Sequence, residues 1–78
     1  MSPQPTVFLG RHGIEEGVTA RLARIRENLY ADVGLTKRWG GVGVEYEWLD
    51  GVSGLFAGVG YDIKSKNVES RVGVTINL

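Results

Sequence analysis

From residue 29 to the end of the chain, apolar and polar residues alternate with a period of two almost without a break. Leu29, Ala31, Val33 and Leu35 interleave with Tyr30, Asp32, Gly34 and Thr36, and Val42, Val44, Tyr46 and Trp48 with Gly43, Glu45 and Glu47. Leu55, Ala57, Val59, Tyr61 and Ile63 stand against Gly58, Gly60, Asp62 and Lys64, and Val72, Val74, Ile76 and Leu78 against Arg71, Gly73, Thr75 and Asn77. This is the signature of strands with two chemically different faces. Phe56 and Leu49 alone break the parity. The runs are separated by Lys37-Arg38-Trp39-Gly40-Gly41, by Asp50-Gly51 and by Lys64-Ser65-Lys66-Asn67. Asp-Gly suits a two-residue hairpin, and the other breaks are rich in turn-compatible residues. The pattern predicts a four-stranded antiparallel meander over residues 30–78.

Four strands do not close on themselves. They leave two edges of unpaired backbone groups, which invite pairing with another chain. The expectation is therefore a mainly β protein whose barrel is completed by oligomerisation. Ahead of the strands, Val18, Leu22, Ile25 and Leu29 are spaced four, three and four. That spacing predicts an amphipathic helix over residues 14–29, packed in or against the barrel. Residues 1–13, with Pro3 and Pro5, read as an extended arm.

Composition narrows the function classes. With no Cys and one His, His12, neither disulfides nor thiolate sites are available, and no metal or cofactor is expected. The formal net charge is zero, which predicts no long-range field drawing the chain to nucleic acid or anionic lipid. No secretory signal pattern and no apolar run long enough for a transmembrane helix occurs in the sequence. The strands, however, have the roughly 9–11 residues needed to cross a bilayer at a tilt. The apolar parity would face lipid, and Trp39, Tyr46, Trp48 and Tyr61 would form aromatic girdles at its two borders. The other parity would line a lumen with Gly34, Gly43, Glu45, Glu47, Gly58, Gly60, Asp62, Arg71 and Gly73. Glycine, at 12 of 78 residues, weakens an ordinary strand, whereas a lumen filled by helices has room only for small residues. In the competing arrangement the apolar face covers the helix and the charged face meets water, as in soluble α+β domains.

A short heptad helix followed by four amphipathic strands resembles the membrane anchor of trimeric autotransporter adhesins. The resemblance is architectural and covers most of the chain, although the chain ends in Leu78 where those anchors end in an aromatic residue. It implies a homotrimer with a twelve-stranded barrel in a bacterial outer membrane, serving as anchor or conduit. The alternative is a soluble structural subunit of a larger assembly such as a phage virion, held by neighbouring proteins. Neither reading involves catalysis. His12 with Glu15 and Glu16 reads as a polar loop, and Glu45 with Glu47 as partners for cross-strand ion pairs. The Gly40-Gly41-Val42-Gly43 run lacks the following helix that a phosphate-cradling fingerprint requires. No small-molecule substrate or nucleic-acid partner is expected.

Overall fold

Strand-forming alternation reaches almost to the N-terminus. The computed structural model describes residues 3–48 and 53–76. Within them six strands follow in order: β1 (Gln4–Gly10), β2 (Gly13–Arg26), β3 (Leu29–Thr36), β4 (Trp39–Trp48), β5 (Ser53–Asp62) and β6 (Asn67–Ile76). Each pairs antiparallel with the next, and β1 returns to pair with β6, closing a barrel. Strands β3 to β6 are the expected meander. Trp39, Gly40 and Gly41 belong to β4, not to the turn before it. Asp50-Gly51, Leu49 and Leu78 lie outside the described residues.

Two expectations are overturned. Residues 14–29 are not a helix but lie in β2, the turn after it and the start of β3, and residues 4–10 are not a free arm but form β1. The first half of β2 carries its own period of two, with Ile14, Glu16 and Val18 outward and Glu15, Gly17 and Thr19 inward. Register shifts then fall between Arg21 and Ala23 and between Arg24 and Arg26, leaving Leu22 and Ile25 unpaired with β3. Each bulge adds one residue to the strand. The two bulged positions, Leu22 and Ile25, together with the turn before Leu29, yield the four-three-four spacing of a heptad. Val18, Leu22 and Ile25 are all exposed on the outer surface, and Leu29 is half-buried at the start of β3. Tertiary pairing decides the matter, because a helix here would strip β1 and β3 of their shared partner.

Closure within one chain also removes the reason to expect an oligomer. The twelve-stranded trimer needed a four-stranded chain with open edges, and β1 pairs with β6 instead. Among the described residues that seam is the shortest of the six, with registered pairs from Thr6↔Thr75 to Leu9↔Val72. Beyond Leu9, the free stretch of β6 is served from inside the barrel. Trp39 Nε1 donates to the Glu69 carbonyl at 3.0 Å and Arg71 Nη1 to the Ser70 carbonyl at 3.1 Å.

The interior of so narrow a barrel explains the glycines. A Cβ at Gly41 would stand 2.5 Å from the Val59 carbonyl oxygen, and one at Gly58 2.6 Å from that of Val42. At Gly43 and Gly60 it would overlap the backbone of the facing strand still more closely. These four residues form two facing pairs, Gly41↔Gly60 and Gly43↔Gly58, on the inner side of β4 and β5. They are needed because the two strands approach closely where the sheet curves, not because a helix threads the lumen.

Candidate functional site: a charged lumen within an apolar surface

The lumen is built in three storeys. At its waist, Phe8 from β1, Trp39 from β4 and Phe56 from β5 are fully buried. Phe8 and Phe56 meet edge to face at 5.7 Å, and Trp39 lies 5.7 Å from Phe8 and 6.4 Å from Phe56. Such tilted contacts suit aromatic quadrupoles. The inner faces of Gly34 and Gly73 leave room for the Phe8 ring. The trio plugs the barrel.

Toward the end that carries the β1–β2, β3–β4 and β5–β6 turns, Arg71 is the hub. Its Nη2 donates to Asp62 at 2.8 Å and to Glu15 at 3.1 Å, and its Nη1 to Glu69 at 2.8 Å. Arg38 closes a fork on Asp62, with contacts of 2.7 and 3.1 Å, and this hydrogen bonding holds its guanidinium above its ordinary pKa. Asp62 also accepts the backbone N–H groups of Lys64 and Ser65, which folds the β5–β6 turn around its carboxylate. In that turn Lys66, with φ of 60°, takes the left-handed conformation. His12 Nε2 contacts Glu69 at 2.9 Å and ties the β1–β2 turn to β6. The facing atoms of His12, Asp62 and Glu69 lie within 4.8 Å of one another, the spacing of a metal site. Two guanidinium groups already occupy those carboxylates, so the constellation reads as an ion-pair network.

Toward the opposite end, Arg21 plays the same part. It donates to Glu45 at 3.2 and 3.1 Å and to Glu47 at 2.6 Å, and lies 3.9 Å above the Tyr30 ring. Thr75 donates to Glu45 at 3.0 Å. Asp32 is buried beside this cluster, yet among the described residues no donor reaches either of its oxygens. Glu45 stands diagonal to it on the inner face of β4, so two acids share this corner of the lumen.

The outer surface is the inverse of the lumen. Ile14 is 74% exposed, Val68 72%, Leu35 58% and Val42 57%, whereas Asp32, Glu45, Asp62 and Arg71 are at most 1% exposed. Of the residues expected to line a lumen, Gly34, Gly43, Gly58, Gly60, Gly73, Glu45, Asp62 and Arg71 lie on the inner face, and Glu47 at its mouth. Of the expected girdle, Tyr46, Trp48 and Tyr61 are on the outer parity. Trp39 is the exception. It follows the opposite parity and belongs to the plug, because β4 starts three residues before the clear alternation does. Phe8 escaped notice within the unbroken apolar run Val7-Phe8-Leu9, where parity is invisible. Phe56 carried a signal, since it alone broke the alternation of its strand. Comparison with family models, curated proteins and solved structures finds no match to this chain.

Proposed function

We propose that this chain is a non-catalytic, membrane-spanning β-barrel that acts as an anchor in an outer-membrane-type bilayer. The observation that carries the reading is the inverted distribution of polarity. Ion pairs and buried carboxyls fill the inside, and Val, Leu and Ile cover the outside. In water that arrangement would expose a far larger apolar surface than the few hundred Å² usual for a monomer. In lipid it places each class of residue where it is stable, and closure gives every strand a neighbour on both sides.

Dimensions support the same reading. The barrel measures 36 Å along its longest axis, enough to span a hydrocarbon core of about 30 Å. Tyr61 and Tyr46 lie toward opposite ends of the apolar band, where an aromatic belt belongs. The aromatic plug favours anchor over conduit, since a barrel with six strands has a lumen narrower than the eight-stranded case that side chains just fill.

The test is folding with and without an amphiphile. The protein is expected to reach its β-sheet circular dichroism signature only in detergent or vesicles. It should migrate there as a heat-modifiable monomer. A folded, detergent-free assembly would support the structural-subunit alternative, with neighbouring proteins covering the apolar surface.

A further inference from the structure

A net charge of zero conceals a division of charge between the inside and the outside of the barrel. Six carboxylates, Glu15, Asp32, Glu45, Glu47, Asp62 and Glu69, line the lumen or its mouths, against the three guanidinium groups of Arg21, Arg38 and Arg71. The remaining cations lie outside, and they are not spread evenly. Arg11, Lys37, Lys64 and Lys66 are exposed, each on one of the three turns at a single end. Glu16 is the exposed carboxylate nearby, on the outer face of β2. At the opposite end the described exposed charges are mixed: Arg24, Arg26 and Glu27. One end of the barrel is a basic crown.

Directly below the crown begins the apolar band. Leu9, Ile14, Leu35, Tyr61 and Val68 all lie on the outer parity within three residues of a turn. Whatever the cations meet must therefore also meet an apolar ring. Nucleic acid and acidic proteins offer anionic groups without hydrocarbon beneath them; a leaflet of anionic lipid offers both at the matching depth.

We infer that the crown of Arg11, Lys37, Lys64 and Lys66 docks on the phosphate-bearing headgroups of an anionic leaflet and fixes which end of the barrel lies there. The inference rests on the membrane reading. Both termini of the described barrel lie at the other end, so the crown is the end that a preference for anionic headgroups would hold at one surface. Each basic residue near an anionic surface strengthens binding several-fold. The attraction is screened by salt, whose characteristic length falls to about 3 Å at 1 M.

The test uses the whole chain and a variant carrying Arg11→Gln, Lys37→Gln, Lys64→Gln and Lys66→Asn, the last chosen because Asn tolerates positive φ. Both are titrated with vesicles of phosphatidylcholine alone and with added phosphatidylglycerol, at low and high salt. Tryptophan fluorescence and heat-modifiability report insertion. The wild-type chain is expected to gain roughly 10²-fold in vesicle affinity from the anionic lipid, and to lose that gain at high salt. The variant is expected to insert into phosphatidylcholine as the wild type does and to gain little from phosphatidylglycerol. An undiminished gain in the variant, or none in the wild type while both insert, overturns the crown's role and leaves the membrane reading intact. Tighter binding of the detergent-folded chain to a duplex oligonucleotide than to the anionic vesicles also overturns it. Failure of both chains to insert into any bilayer overturns the membrane reading and this inference together.

Discussion

Arg71 is the side chain on which the lumen most depends. It is fully buried, and three carboxylates from β2, β5 and β6 converge on it. Removing one partner of a buried network leaves the others charged and unpaired, which is far worse than never having built it. Arg71→Ala is accordingly expected to destabilise the folded barrel by about 3–5 kcal/mol, measured by urea unfolding in detergent. Asp32 provides the contrasting case. Asn at this position keeps the shape and replaces one unpartnered oxygen with an N–H donor on the face shared with Glu45. Asp32→Asn is expected to unfold at the wild-type urea concentration or above it; a loss comparable to that of Arg71→Ala would show that Asp32 is needed as a charge. Both residues were placed on a polar strand face by their parity alone. What parity does not disclose is which carboxylate finds a cation and which is left beside another acid, since that depends on diagonal neighbours two strands away.

Among the elements, β4 and β5 approach closely across Gly41↔Gly60 and Gly43↔Gly58. A methyl group at Gly43 or Gly60 would overlap the facing backbone, so Gly60→Ala is expected to cost about 1–3 kcal/mol as an overpacking change, read from the same unfolding curves. Alanine tolerated there without loss would mean that the strands are less closely curved. On the outer face of the same pair, Val44 and Val59 lie near mid-strand. Val44→Arg is expected to lower stability by about 2–4 kcal/mol in a bilayer, and much less in detergent micelles, where a charge is easily rehydrated. Equal effects in both would argue against a lipid contact at this position. Strands β3 to β6 were legible in the sequence because their outward residues alternate with mostly small or charged inward ones, Trp39 and Phe56 excepted. Strands β1 and β2 were not. In β1 the run Val7-Phe8-Leu9 hides which side Phe8 takes, and in β2 the bulges at Leu22 and Ile25 convert a strand pattern into a helix-like one. Local periodicity cannot separate a doubly bulged strand from a short amphipathic helix; the partners of its backbone groups do so.

Considered whole, the molecule is a barrel whose two surfaces have exchanged their usual chemistry. The polarity of each strand face was readable from the sequence, but closure was not, because it depends on the pairing of β1 with β6 across the full length of the chain. Closure changes the functional reading as well. It gives each strand of a single chain two neighbours, and the Phe8–Trp39–Phe56 plug is the feature on which the proposed anchor is preferred to a conduit. The central claim is that the outer face of the barrel meets lipid. The chain has no Cys, so single cysteines can carry a nitroxide spin label at chosen sites without a background. Labels at Val44→Cys, Val59→Cys and Val74→Cys in reconstituted vesicles would report collisions with oxygen, which concentrates in hydrocarbon, and with a water-soluble nickel chelate. The account predicts mobile labels at all three sites, accessible to oxygen and shielded from nickel. Labels that are open to nickel, or immobilised by surrounding protein, would contradict it.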